Sequence, residues 1–253
     1  MVNRTERSPH GIEPMSAGKS LENRVALVTG ASRGIGFAIA QSLSEMGAKV
    51  AICSRDAGRL EEAAALLGRA GSRVLAVPAD VTRASDIAAL AEKTEESLGP
   101  VEILVNNAGI GFFAPAHEAS EADWDRVLDT NLKAVFLVSK IIVPGMIRRR
   151  RGDIINIGSL AAKSVFADGG IYCASKWGLL GLTQCMAEDL RGYGIRVSAV
   201  CPGTVATEFS PHAGKDIRKM LQAEDVAHAV QVIVTQAPQS FISEILLRPL
   251  QKP

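Results

Sequence analysis

Aromatic residues are scarce in this chain, at 4% of 253 residues, and neither sign of charge is in excess. Lysine and arginine number 28 against 27 aspartates and glutamates, a formal net charge of +1. A balance that close leaves no electrostatic footprint for nucleic acid or an anionic membrane surface. The one dense basic run is the four arginines at 148–151. It stands between an apolar helical stretch and Gly152-Asp153, and reads as a helix C-terminus, where the backbone dipole favours cations. Cysteine is sparse too: Cys53, Cys173, Cys185 and Cys201 form no C-x-x-C pair and lie near no histidine cluster. That spacing excludes a zinc-type site and a disulfide framework, so no metal is expected. Buried free thiols in a reducing cytoplasm are the expectation. No stretch reads as long and apolar enough to cross a membrane. Residues 1–20 are polar, contain Gly and Pro, and lack the apolar centre of a signal peptide. They are expected to form a disordered extension, with Met15 as an alternative start.

Apolar residues, by contrast, make up 47% of the chain, enough for a sizeable core. Short Val/Ile/Leu/Ala runs at 25–28, 49–53, 74–77, 103–105, 153–157, 196–200 and 243–247 predict strands. Amphipathic stretches at 34–46, 58–67, 84–98, 121–147, 172–190 and 223–235 predict helices. The strands do not alternate in polarity, so both faces of their sheet must be covered. The expected architecture is α/β: a doubly wound parallel sheet of about seven strands in one domain over residues 21–253. Ligands of such sheets bind outside the carboxyl ends of the strands, which directs attention to the residues just after each run.

After the first run comes Thr29-Gly30-Ala31-Ser32-Arg33-Gly34-Ile35-Gly36, which opens the first helix. The spacing is G-x-x-x-G-x-G. It meets the need for a tight turn, close backbone approach to a pyrophosphate and helix amides facing the phosphates. In an NAD-type fold an acidic side chain lies roughly 20 residues on, at the end of the second strand, to hold the ribose diol. Here that end reads Cys53-Ser54-Arg55-Asp56. Ser54 carries no charge to repel a phosphate, while Arg55 and Arg33 could grip one through charge-assisted bonds. NADP(H) is therefore favoured over NAD(H). Asp56 is read either as a cap on the following helix or, in a shifted register, as a ribose ligand. Asp80-Val81 ends the third strand segment and could contact adenine, or Asp80 could serve as a cap. Asn107, Ala108 and Gly109 after the fourth run let a flat ligand pass close to the backbone.

Tyr172 and Lys176 stand four residues apart, so on a helix they share a face. A neighbouring ammonium lowers a phenol's pKa toward the working range. Ser159, thirteen residues upstream, could hold a substrate oxygen beside that phenol.

Taken together, Thr29 to Gly36, Asp80, Asn106 to Gly109, Asn131, Ser159, Tyr172, Lys176 and Pro202-Gly203 resemble the short-chain dehydrogenase/reductase family in its single-domain branch. The resemblance runs from about Leu21 to the C-terminus and implies a Rossmann-type three-layer sandwich. It implies roles residue by residue. Tyr172 would exchange a proton with the carbonyl oxygen, and Ser159 would polarise that oxygen. Lys176 would lower the Tyr172 pKa and bond the nicotinamide ribose. Asn131 would anchor a water leading from Lys176 to solvent. Pro202, Gly203 and Val205 would lie against the nicotinamide, with Thr207 near its carboxamide or the phosphates.

Phe112, Phe113, Phe166 and Phe209 gather in loops after the fourth, fifth and sixth runs. They suit an apolar or acyl substrate, although Phe112 and Phe113 could equally be loop anchors in the core. The resemblance is to 3-oxoacyl-thioester reductases in general outline, but the ending Ser240 to Pro249 is more like members acting on hydroxy acids, diketones or other carbonyls. His212 reads as exposed. A non-catalytic NADP-binding scaffold on the same fold would be expected to lose the tyrosine or lysine, and a sugar-nucleotide epimerase would need another glycine spacing and a longer chain. The helices over 131–148 and 172–190 resemble the family's subunit contacts, which implies a homotetramer or homodimer.

Overall fold

The computed structural model describes residues 20–69, 71, 73–209 and 216–252. Residues 1–19 of the expected extension and His212 lie outside the described residues. Seven parallel strands form one sheet in the order β3-β2-β1-β4-β5-β6-β7. They are β1 (Val25–Thr29), β2 (Lys49–Ser54), β3 (Val74–Pro78), β4 (Val101–Asn106), β5 (Gly152–Ile157), β6 (Ile195–Pro202) and β7 (Glu244–Leu247). The helices are α1 (Gly34–Glu45), α2 (Ala57–Gly68), α3 (Ala84–Leu98), α4 (Glu121–Leu128), α5 (Ala134–Arg149), α6 (Gly170–Arg191) and α7 (Ala223–Val234). The doubly wound α/β architecture expected from the strand runs is therefore present.

Alternation inside β1 builds two cores at once. Ala26 and Val28 pack with Ile39 and Leu43 of α1, Leu60 of α2 and Val230 and Ile233 of α7. Val25 and Leu27 point the other way, to Ile87 and Leu90 of α3, Val138, Ile142 and Met146 of α5 and Leu190 of α6. A strand covered on both faces has no reason to alternate in polarity, which is why these runs are apolar throughout. Strand order reverses between β1 and β4, where chains leave in opposite directions and a crevice opens at the carboxyl ends.

Two features differ from the sequence expectations. The stretch expected as one helix over 121–147 contains a π-helical turn at Asp129–Lys133 between α4 and α5. The continuous helical run Glu121–Arg149 also has the length and apolarity to cross a membrane, with a window of mean hydropathy 1.4, contrary to the expectation that no stretch does. It is an element of this core: Val127, Asn131, Val138, Ile142 and Met146 are buried, and Met146 and Ile142 pack under the sheet. The arginine run behaves as the helix end it was expected to be. Arg149 Nη2 donates to Val101 O at 2.8 Å and Arg150 Nη2 to Gly192 O at 3.0 Å.

Candidate active site

The carboxyl ends of the strands surround a cleft of about 1930 Å³. Sites for drug-sized ligands run to ~1,000 Å³, so this one has room for a dinucleotide and a second molecule. All of the expected cofactor residues line it: Gly30, Ser32, Arg33, Gly34, Ile35, Gly36, Ser54, Arg55, Asp80, Val81, Asn107, Ala108, Gly109, Tyr172, Lys176, Pro202, Gly203, Val205 and Thr207. Among the expected catalytic residues, Ser159 joins them but Asn131 does not; of the phenylalanines, Phe113, Phe166 and Phe209 do and Phe112 does not.

The floor at one end is the turn between β1 and α1. Gly30 has φ +65, and a Cβ there would lie 2.8 Å from Ala108 Cα. At Gly36 a Cβ would meet Asn107 Nδ2 and Gly30 O, each at 2.4 Å. Those glycines let the turn sit directly on the β4 loop. Asn107 locks the two together, with Nδ2 donating to Thr29 O and Gly30 O at 3.0 Å each. Thr29 Oγ1 accepts from the backbone of Asn107 and Ala108 at 3.0 and 3.1 Å. No side chain caps the N-terminus of α1, so its first amides face the cleft as an anion site would require.

Cations gather beyond that turn. Arg33, Arg55 and Arg59 all line the cleft around Ser54. Arg59 was not picked out from the sequence; it sits in the first turn of α2, four residues after Arg55. Arg33 is bonded to Glu208 across the cleft mouth, and Arg59 Nη1 lies 3.5 Å from the same Oε2. Asp56 caps α2, accepting from Arg59 N at 3.1 Å as one of its two readings has it, and it also lines the cleft beside Ser54. Asp80 Oδ1 accepts from the Thr82 amide and hydroxyl at 2.9 and 2.8 Å. Partial burial pushes its carboxyl up, but those bonds and the charges of Arg55 and Arg83 hold it below the usual range.

The other end is apolar and holds the chemistry. The Tyr172 ring lies edge-on to Phe113 at 5.5 Å and against Phe209 at 5.9 Å, while Phe113 also meets Phe166 at 6.0 Å. Phe112 is half-buried and turns to Arg126, whose guanidinium sits 6.0 Å from its ring, so it is neither in the cleft wall nor in the core. Burial pushes the Tyr172 phenol up to about 12, against a hydrogen bond with Ser159 that lowers it. Lys176 Nζ stands 5.9 Å from the Tyr172 ring centroid and donates to Ile157 O at 2.9 Å. Burial brings its ammonium down to about 8. The expected depression of the phenol by Lys176 is not seen here: burial is the largest influence on both groups, and it favours the neutral form of each.

Asn131 is buried inside the π turn. Its Oδ1 accepts from Ile110 N at 2.8 Å, and its Nδ2 donates to Ile110 O at 2.9 Å and to Ser175 Oγ at 3.0 Å. Both donors are engaged by protein, so the side chain clamps the β4 loop to α6 from inside the π turn. Cys53, Cys173 and Cys201 are buried as expected, but Cys185 is exposed on α6; burial pushes Cys53 and Cys201 up to about 12 and about 11. Among the described residues, no group of three or more His, Cys, Asp or Glu could hold a metal ion.

A family model described as short chain dehydrogenase matches residues 24–218. The chain belongs to that family. A 2-(S)-hydroxypropyl-CoM dehydrogenase of Xanthobacter autotrophicus is 43% identical over 187 residues, 74% of this chain and 73% of the relative. A ketoacyl reductase of Nostoc is 37% identical over 187 residues, 74% of this chain and 65% of that protein. Among solved structures, a metagenomic short-chain oxidoreductase in complex with NADP superimposes with a TM-score of 0.81 at 42% identity, covering 92% of this chain and 99% of that one. An alcohol dehydrogenase from Thermococcus sibiricus complexed with 5-hydroxy-NADP gives 0.84 at 30% identity, covering 91% and 98%. This short-chain dehydrogenase is thus an oxidoreductase of alcohol and carbonyl groups, built around the cleft just described.

Proposed function

We propose that the protein interconverts a ketone and a secondary alcohol with NADP(H). The observation that carries this reading is the convergence of Ser159, Tyr172 and Lys176 on one cleft, with the phenol hydrogen-bonded by Ser159 and kept neutral by burial. It stands at the aromatic end of a cleft whose other end presents helix amides and arginines. The nicotinamide, when bound, supplies the hydride. The Gly30–Gly36 turn would hold its pyrophosphate, and Lys176 its ribose. Arg33, Arg55 and Arg59 would hold a 2′-phosphate beside the uncharged Ser54, which supports NADP(H) over NAD(H). Tyr172 gives its proton to the carbonyl oxygen in reduction and takes it back in oxidation, while Ser159 donates a hydrogen bond that polarises that oxygen. Asn131 acts by position, holding the loop at Ile110 against α6.

The phenylalanines around Tyr172 suit an apolar carbonyl. A 3-oxoacyl thioester and a smaller hydroxy acid, diketone or ketone both fit that description; the ketoacyl reductase relative favours the first and the hydroxypropyl-CoM dehydrogenase the second. A homodimer or homotetramer through α5 and α6 is supported by the exposed Phe136 and Trp177 on those helices. A reducing compartment such as the cytoplasm suits four free thiols. A panel of oxoacyl thioesters, diketones and simple ketones, read by NADPH consumption, selects the substrate. With the best of them, Tyr172→Phe should lower kcat by about 10²–10⁴-fold, the usual contribution of a positioned acid. Near-wild-type turnover in that variant overturns the mechanism.

A further inference from the structure

Glu208 is a carboxylate that bonds arginines from two separate elements at the adenosine end of the cleft, whereas Asp56 reaches only Arg59 of its own helix. It lies in the loop after β6, far in sequence from the arginines it meets. Its Oε2 is bonded by Arg33 Nη1 and lies 3.5 Å from Arg59 Nη1. Arg33 precedes α1 and Arg59 sits in the first turn of α2, so the carboxylate draws together two guanidinium groups from separate elements. Both arginines and Glu208 line the same cleft as Ser54. The pairs are exposed: the side chains are 53%, 52% and 69% accessible. A dissolved or ligand-borne anion can therefore reach the arginines and compete for them.

We propose that Glu208 determines cofactor specificity, as an internal anion that occupies Arg33 and Arg59 and that the 2′-phosphate of NADP(H) must displace. The inference rests on the reading that this cleft holds NADP(H). Two like-charged groups held by the same guanidinium groups repel each other, so a phosphate that binds Arg33 or Arg59 weakens the carboxylate's hold on them. A dinucleotide without the 2′-phosphate makes no such exchange and leaves Glu208 in place. The carboxylate thus weakens NADP(H) binding selectively and narrows the gap between the two cofactors.

Phe209, the next residue, packs its ring 5.9 Å from that of Tyr172, so residues 208 and 209 connect the arginines to the aromatic wall beside the phenol.

The test is equilibrium binding to the cofactor-free protein by calorimetry, using NADP+, NAD+, adenosine 2′,5′-bisphosphate and ADP on wild type, Glu208→Gln, Arg33→Ala and the double variant. Glu208→Gln keeps size and hydrogen bonding while removing charge. Exposed ion pairs are weak, so the expected gain is about three- to fivefold in affinity for NADP+ and the bisphosphate, with less than about twofold change for NAD+ and ADP. In the Arg33→Ala background the gain should shrink, because the partner is already gone. An unchanged or weakened NADP+ affinity in Glu208→Gln, or an equal gain for NAD+, overturns the proposal. The wild-type ratio of NADP+ to NAD+ affinity separately tests the cofactor reading: preference for NAD+ would overturn that reading, while the change on substitution still decides the role of Glu208.

Discussion

Tyr172 keeps its proton because the residues around it offer a phenolate almost nothing. Phe113 and Phe209 flank the ring, the side chain is buried, and the nearest cation is itself short of water. The sign of the consequence is fixed. A phenol raised to about 12 stays protonated in the folded protein while the unfolded chain loses its proton near the ordinary value of 10. Between those values the native state binds more protons, so stability falls as pH rises through that window. The chain has two tyrosines, and Tyr193→Phe leaves Tyr172 alone for a spectrophotometric titration. Without cofactor, its ionisation should be seen only toward pH 12; a midpoint below 10 would show that Lys176 governs the phenol after all. The identities of Ser159, Tyr172 and Lys176 were legible from spacing and family resemblance. Their electrostatics were not, because a pKa depends on how much water the fold removes, and i,i+4 spacing says nothing about that.

At the scale of elements, the π turn at Asp129–Lys133 is the departure with most consequence. One extra residue in the turn places Asn131 inward, where it holds Ile110 by both backbone groups and reaches Ser175 Oγ on α6. Removing the amide takes away the side-chain partner of Ile110 N and Ile110 O, while Ser175 Oγ keeps its bond to Tyr172 O. Asn131→Ala should cost about 2 kcal/mol, a drop in Tm of about 4–8 °C for a chain of this size, measurable by calorimetry. An unchanged Tm would mean that the loop at Ile110 is held by something else. A helix of ordinary period was the natural reading of 121–147, since apolar periodicity cannot register a single inserted residue. The strand-to-helix turn at Gly30 to Gly36 was legible for the opposite reason: its function depends on local geometry that only glycine tolerates, and local geometry is written in consecutive residues. Arg59 and Glu208 escaped because their meeting requires α2 and the loop after β6 to be folded against the same cleft.

Across the whole molecule, the two edges of the sheet have different tasks. The carboxyl ends carry the cleft. At the opposite edge Asp153, buried in β5, accepts from Arg24 Nη2 and Arg196 Nε at 2.7 Å each. Glu102 meets Arg24 at 3.4 Å and Arg151 at 3.1 Å. This network joins the starts of β1, β4, β5 and β6. Asp153→Asn would leave buried Arg24 without its closest counter-charge, and breaking a buried pair costs about 3–5 kcal/mol. A fall in Tm of roughly 6–20 °C is expected, with cofactor affinity little changed because the network lies across the sheet from the cleft. A loss of affinity larger than the loss of stability explains would overturn that division. Composition and apolar runs by themselves determined the α/β class, the strand count and the location of function after the strands, because burial on both faces of a parallel sheet imposes a pattern on every strand. Only the tertiary structure decided that burial outweighs Lys176 at the phenol, that Asn131 clamps a loop, and that Glu208 sits on the arginines. Those are properties of distance and desolvation between residues remote in sequence, and they exist only once the sheet has brought its loops together.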